Sequence, residues 1–117
     1  MNDNSVTADW LDLGPVEQIP LRGARSVPVS GGEELAVFRT GDNRVYALVN
    51  RCPHKGGPLS QGIVQGDKVA CPLHDWKISL VTGEASAPDE GCVPTIPVRV
   101  VAGRILIARA AVVQRAA

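Results

Sequence analysis

Four side chains that bind soft or borderline metal ions lie in two short clusters. The first cluster is Cys52-x-His54, and the second, after sixteen intervening residues, is Cys71-x-x-His74. These are the only two histidines of the chain and two of its three cysteines. Thiolate sulfur and imidazole nitrogen suit zinc and iron–sulfur centres. The sequence therefore predicts a metal site made by these four residues, held by the rest of the chain.

The order of the ligands distinguishes between two kinds of metal centre. Zinc sites with two cysteines and two histidines usually keep like residues together, whereas here each cluster is mixed. A mixed cluster suits a binuclear centre in which one iron takes both thiolates and the other takes both imidazoles. This is the Rieske form of the two-iron, two-sulfur cluster. A structural zinc module that serves only assembly remains the alternative.

The residues around the ligands carry a resemblance to a known family. The runs CPHKGGPL at 52–59 and CPLHDW at 71–76 resemble the motifs of Rieske ferredoxin domains. They resemble more closely the small subunit of NAD(P)H-dependent assimilatory nitrite reductase, and the run APDEGC at 87–92 is similar to that family's third loop. The similarity extends over roughly residues 8–109, while ferredoxins of aromatic-ring dioxygenase systems share the ligand motif.

The resemblance implies a function in electron transfer. A small subunit of this kind would help reduce nitrite to ammonia in nitrate assimilation, as part of an NAD(P)H-dependent oxidoreductase. The flavin and sirohaem would lie on a larger partner subunit, so the chain itself would have no catalytic residues. Its cofactor would be a Rieske 2Fe–2S cluster bound by Cys52, His54, Cys71 and His74. The alternative within the same chemistry is a stand-alone Rieske ferredoxin that serves an aromatic-ring dioxygenase or another redox protein.

Departures from a related group imply a low reduction potential. Rieske proteins of respiratory bc complexes add a cysteine to each loop and join the two by a disulfide. The resemblance aligns those positions with Gly57 and Leu73, so no such disulfide can form. The serine and tyrosine that hydrogen-bond the cluster in those proteins align with Trp76 and Ile78, which cannot supply hydroxyl groups. Because such bonds help set the potential, we expect a low-potential, ferredoxin-type site.

Composition restricts the functional classes further. A chain of 117 residues has the length of one domain, predicted here over 8–109, with tails at 1–7 and 110–117. The formal net charge is zero, so no basic surface for nucleic acid or membrane is expected. No apolar window is long enough to span a bilayer, and the polar N-terminus resembles no signal peptide. The expected location is the cytoplasm, which keeps thiols reduced.

The fold class follows from the turns and the short apolar runs. Twelve glycines and nine prolines favour many turns and short strands over long helices. The predicted strands cover 10–13, 24–29, 34–40, 44–49, 63–64, 68–70, 76–80, 97–101 and 104–108, with Gly14-Pro15 ending the first and Pro28 marking an edge strand. We therefore predict an all-β, Rieske-type small antiparallel sandwich or barrel. The two ligand loops would lie in a cluster-binding insertion at about 50–80.

Two further residues near the predicted site are assigned structural roles. Trp76 is expected to pack against the core beside the second loop. Cys92 has no histidine partner in sequence, so it is interpreted as a small apolar residue and not as a ligand.

Overall fold

Ten strands and two short 3-10 helices account for the regular structure of the described residues. The computed structural model describes residues 10–28, 34–52, 57–72, 76–86 and 91–108. The strands are β1 (Trp10–Pro15), β2 (Gly23–Pro28), β3 (Glu34–Arg39), β4 (Val45–Val49), β5 (Ile63–Gln65), β6 (Lys68–Ala70), β7 (Lys77–Ser79), β8 (Thr95–Ile96), β9 (Val98–Val101) and β10 (Arg104–Ala108). The 3-10 helices are Val16–Gln18 and Leu59–Gln61.

The strands form three antiparallel sheets. Sheet A has the order β1-β10-β9, sheet B has the order β2-β3-β4-β8, and sheet C has the order β5-β6-β7. Sheet C, with both ligand loops, lies in the chain between β4 and β8. The prediction of an all-β antiparallel fold with a cluster-binding subdomain is confirmed. The predicted domain limits of 8–109 stay a prediction, and both predicted tails lie outside the described residues.

The hairpins expected from the sequence are present. The β3–β4, β5–β6 and β9–β10 pairs are all antiparallel neighbours. The β9–β10 turn has positive φ angles at both central residues, 52° at Ala102 and 76° at Gly103. A two-residue turn of this kind matches the twist of the strands that it joins. Pro28 ends β2, which is an edge strand of sheet B, as predicted.

The first strand is longer than the sequence predicted. Gly14-Pro15 was expected to break it, but β1 continues through Pro15 and pairs with β10. The register shifts between Asp12 and Gly14, and Gly14 has a φ angle of 104°. An irregularity of this type lets a strand absorb a glycine and continue. Two-residue β8 was also not predicted, because its pairing with β4 joins segments far apart in sequence.

One hydrophobic core joins the three sheets. Leu35 and Leu48 from sheet B, Ile105 and Ile107 from sheet A, and Ile78 from sheet C all have at most 1% of their surface exposed. The four residues of β3 from Leu35 to Phe38 are each fully buried, so both faces of this strand are covered. The 3-10 helix Leu59–Gln61 packs against β2 and β3. This helix therefore anchors the end of the first ligand loop to the main sandwich.

The helical segments in the described part of the chain are all short. None of them is long and apolar enough to cross a membrane.

Candidate metal centre

The first cysteine of the predicted site lies at the base of the loop that follows β4. Cys52 is three residues beyond the end of β4, and only 1% of its surface is exposed. Its backbone N–H donates a hydrogen bond of 2.8 Å to the carbonyl oxygen of Gly57. The loop that contains His54 is therefore closed directly at its cysteine.

The second cysteine follows β6 without a break. Cys71 has 2% of its surface exposed, and its N–H donates to the carbonyl oxygen of Trp76 at 2.7 Å. The last pair of the β6–β7 ladder is Ala70 with Lys77, so the Cys71–Trp76 bond extends that ladder by one step. The second ligand loop is thus the end of a hairpin in sheet C.

The two loops are closed in the same way. In each, the cysteine amide bonds to the carbonyl five residues later, and four residues lie between the bonded pair: 53–56 in the first loop and 72–75 in the second. Each span begins with proline and contains one histidine. His54 and His74 themselves lie outside the described residues, so their role as ligands stays a prediction. The two motifs differ in the spacing of cysteine and histidine, but the structure closes both loops with the same backbone hydrogen bond.

The surroundings of the two thiols fit an iron–sulfur centre. Cys52 and Cys71 belong to one buried hydrophobic cluster, although they come from different parts of the fold. None of the three cysteines, all of which are described, is in a disulfide. A buried thiolate is costly without a compensating positive charge, and an iron ion provides that charge. Two such thiols at the bases of matched loops are therefore a suitable donor pair for a cluster.

A close backbone contact connects the two loops. Gly62 follows the 3-10 helix after the first loop, and a Cβ atom placed on it would lie 2.2 Å from the carbonyl oxygen of Ala70. Ala70 is the residue before Cys71, so the end of the first loop packs directly on the strand that leads into the second. No motif in the sequence singles out Gly62, because its role depends on a contact across sheet C.

The residues flanking the second loop take different positions. Trp76 is partly buried and packs against the hydrophobic core, which confirms its predicted structural role. Ile78 is fully buried. Cys92 is exposed and pairs with Glu84 in an isolated bridge, so it adds nothing to the core. Its predicted absence from the ligand set stays a prediction.

The described groups with shifted pKa values lie away from the ligand loops. Arg104 hydrogen-bonds Asp12 and, with the Gly14 amide, lowers the pKa of that carboxyl group. In the β3–β4 turn, at the other end of β4 from Cys52, the Thr40 hydroxyl lowers the pKa of Asp42. A hydrogen bond to the side chain of Tyr46 is the main cause of the raised pKa of Arg44, and the negative charge of Asp42 raises it further. These charged groups lie on the surface of the sandwich, one pair joining β1 to β10 and the other in the β3–β4 turn.

Comparison with known proteins identifies the domain. The model of the Rieske [2Fe-2S] domain family matches residues 9–97 of this chain. The match includes both ligand loops and sheet C. Because this match covers most of the chain, it assigns the chain to that family.

Two functional groups among the relatives are similar to this chain in length, while other relatives are longer monooxygenases of which the matched part makes up less than a fifth. The ferredoxin component of a naphthalene 1,2-dioxygenase system from Pseudomonas aeruginosa is 32% identical over 103 residues, covering 87% of this chain and 97% of that protein. A solved chain from the complex of reduced oxygenase and oxidized ferredoxin in carbazole 1,9a-dioxygenase has a TM-score of 0.76 and 31% identity, covering 85% of this chain and 92% of that one. A candidate NADH-dependent nitrite reductase small subunit from Mycobacterium tuberculosis has a TM-score of 0.76 and 29% identity. The alignment covers 86% of this chain and 94% of that one.

Both groups are relatives of similar length, so the likeness extends over nearly the whole domain and not only over the ligand motifs. Both groups belong to oxidoreductase systems, and they differ in the enzyme concerned, which is a dioxygenase in the first group and a nitrite reductase in the second. Given the family match, the paired loops and the two buried thiols, this chain belongs to the Rieske [2Fe-2S] domain family, as an electron-transfer protein whose cofactor is a two-iron, two-sulfur cluster.

Proposed function

We propose that this chain is the electron-transfer small subunit of an NAD(P)H-dependent nitrite reductase that converts nitrite to ammonia. The observation that carries the proposal is the run at 87–92, APDEGC, which resembles the third loop of that subunit family. The M. tuberculosis neighbour supports it, because the likeness covers 94% of that chain. The catalytic flavin and sirohaem sites then belong to a larger partner subunit, and both subunits act in the cytoplasm.

Within this function, Cys52 and Cys71 hold one iron and His54 and His74 hold the other. The burial of both cysteines supports this division, since the thiolates lie at the bases of their loops. The histidines lie in the four-residue spans beyond those bases. A cluster held by these four residues would supply one-electron transfer between a donor and an acceptor, at a potential that the neutral imidazoles raise above that of a four-cysteine cluster. The protein's part is to bind the irons and exclude water from the thiolates.

A second role has its own support. The P. aeruginosa ferredoxin component is 32% identical over 97% of its length. This relationship favours a free-standing ferredoxin that delivers electrons to an aromatic-ring dioxygenase. The two roles require the same cluster and the same ligands, so only the identity of the partner separates them.

The metal content is the first test. Iron and acid-labile sulfide assays on purified protein are expected to give about two of each per chain, with a mixed-ligand EPR signal after reduction. Equimolar zinc, without labile sulfide or colour, would instead establish the structural zinc module and end the redox proposal.

The partner is the second test. The pre-reduced chain is mixed with a sirohaem-containing nitrite reductase large subunit or with a dioxygenase terminal oxygenase, and its reoxidation is followed in the visible spectrum. With the reduced chain in excess over nitrite, because each chain supplies one electron and ammonium formation needs several, we expect rapid reoxidation by the large subunit and formation of ammonium. A Cys71→Ala chain, which lacks one proposed ligand, is the control for electron transfer that bypasses the cluster. Reoxidation by the oxygenase alone would assign the ferredoxin role.

A further inference from the structure

An asparagine side chain connects the two ends of the first ligand loop. Asn50 lies two residues before Cys52, and its Nδ2 group donates to the Ser60 hydroxyl at 2.9 Å. The Ser60 backbone N–H donates in return to Oδ1 of Asn50 at 2.8 Å. The two residues thus form a reciprocal pair that encloses the Cys52–Gly57 closure.

The same side chain also reaches the neighbouring strand. Nδ2 of Asn50 donates to a carboxylate oxygen of Glu34 at 3.2 Å, and the Asn50 backbone N–H donates to the Glu34 carbonyl oxygen at 2.9 Å. Glu34 begins β3. The carboxamide of one partly buried residue at the start of the loop therefore contacts both the helix after the loop and sheet B.

The two ligand loops differ in what lies beneath their closing bonds. The second loop continues a backbone ladder, in which Ala70 pairs with Lys77 and Val69 pairs with Ile78. The first loop follows β4, whose partners are β3 and β8. The chain after that loop enters the 3-10 helix Leu59–Gln61 and therefore does not pair with β4. Asn50 and Ser60 occupy the place that a strand pair occupies beneath the second loop.

We propose that Asn50 is a positioning residue for the cluster, whose carboxamide holds the first ligand loop at the width and orientation that Cys52 and His54 need. This inference rests on the proposed ligand role of those two residues. Partners of ligating segments orient the ligands and tune the metal, and their loss weakens metal binding even though they do not touch it. The two hydrogen bonds between Asn50 and Ser60 are partly shielded from water, so removal of one residue leaves a polar group of the other without its partner. The bond from Asn50 to the Glu34 carboxylate is exposed.

Three variants separate the contributions of the pair. Asn50→Ala removes every side-chain bond, Asn50→Asp keeps only the acceptor for the Ser60 amide, and Ser60→Ala removes only the hydroxyl acceptor. The matched control is Asn43→Gly, in the turn at the opposite end of β3 and β4. Asn43 has a φ angle of 66°, which glycine adopts without strain, and its side chain contacts Arg39 and not the ligand loops.

The measurements are the rate of cluster loss to a chelator, the EPR g values of the reduced protein and global unfolding. For Asn50→Ala we expect cluster loss about tenfold faster than in the wild type, together with shifted or broadened g values. Asn50→Asp and Ser60→Ala are expected to lose the cluster at rates between those of the wild type and Asn50→Ala. Asn43→Gly is expected to lose it at the wild-type rate. The double variant Asn50→Ala/Ser60→Ala is expected to lose its cluster no faster than Asn50→Ala, because the two residues act through shared bonds.

The outcomes also separate this inference from the proposed function. Wild-type loss rate and g values in Asn50→Ala would overturn it, as would lowered global stability with an unchanged cluster signal. If Asn50→Ala does not fold, Ser60→Ala decides, and wild-type values there overturn the inference. If the wild-type protein itself contains zinc and no labile sulfide, the assignment of a two-iron, two-sulfur cluster fails first, and the role of Asn50 toward that cluster fails with it.

Discussion

The backbone N–H of Cys71 donates a 2.7 Å hydrogen bond to the carbonyl oxygen of Trp76 and so closes the second ligand loop. Because this bond extends the β6–β7 ladder, Cys71 is held at the end of sheet C. Backbone bonds in a ladder hold their residues in a narrow range of geometry. The second cysteine is therefore positioned by secondary structure, whereas the first depends on a closure by Gly57 and on the bonds around Asn50.

Loss of any one ligand is expected to abolish the native cluster signal. Cys71→Ala removes a buried thiolate, and His54→Ala removes an imidazole, so one iron loses half of its protein ligands. The visible and EPR spectra of the mixed-ligand cluster should disappear, and the ligand loops should become less stable because metal binding orders them.

Cys92→Ala is the matched control for that experiment. Cys92 is exposed and belongs to a different loop, so its variant should keep wild-type spectra and iron content. A native EPR signal in Cys71→Ala, or its loss in Cys92→Ala, would contradict the ligand assignment.

Alanine at position 62 is expected to destabilise the contact between the loops. The added Cβ would meet the Ala70 carbonyl oxygen at 2.2 Å and a Val69 methyl group at 2.9 Å, and backbone cannot yield as a flexible side chain does. We expect Gly62→Ala to lower the free energy of unfolding by about 2 kcal/mol, measured by denaturant titration.

Gly103→Ala provides the comparison, since a Cβ there meets nothing within 4 Å. Its φ angle of 76° leaves only backbone strain, for which about 1 kcal/mol is expected. Equal costs for the two variants would show that the packing of Gly62 on Ala70 is not the decisive factor. Only Gly62→Ala is expected to accelerate cluster loss.

The midpoint potential is expected near the negative end of the Rieske range, at about −150 mV. Ile78 is fully buried and carries no hydroxyl group, and the Trp76 ring packs on the core. Neither residue can donate the hydroxyl bonds that favour a reduced, more negative cluster. A redox titration followed by EPR measures this value, and a potential near +300 mV would show that other donors surround the cluster.

Acid is expected to weaken the attachment of β1 to β10 through Asp12. Arg104 Nε lies 2.8 Å from a carboxylate oxygen of Asp12 and holds the pKa of this group below its ordinary value of 3.8. A pKa that is lower in the folded state stabilises the fold above the unfolded pKa, and this stabilisation is lost as pH falls through the folded pKa. The Asp12→Asn variant should therefore be less stable than the wild type at pH 7.

The difference between Asp12→Asn and the wild type should shrink as pH falls below 3.8 and should close once pH has passed through the lower pKa of Asp12 in the folded chain. Thermal unfolding at a series of pH values measures it. Glu17→Gln, at an exposed carboxylate in the first 3-10 helix, is the control and should follow the wild-type curve. If the difference in stability between Asp12→Asn and the wild type stayed constant down to acidic pH, its cause would not be the lost charge of Asp12.

Local patterns were sufficient to predict most of the strands and the kind of metal centre. Alternating apolar residues and turn residues predicted the β3–β4 and β9–β10 hairpins, because a hairpin depends on neighbours in sequence. The clustering of all the histidine with Cys52 and Cys71 predicted the metal centre for a similar reason. Donor atoms and their spacing within a loop are written directly in the chain.

Features that depend on contacts between distant segments could be recognised only in the tertiary structure. The continuation of β1 through Gly14-Pro15 depends on β10, and two-residue β8 exists only because it pairs with β4. Gly62 matters because the Ala70 carbonyl lies where its side chain would be, and Asn50 matters because Ser60 returns to it across the loop. The sequence by itself determined where the chain turns and predicted which atoms bind metal. Only the fold decided which backbones hold those atoms in place, because that depends on packing between residues that the sequence separates.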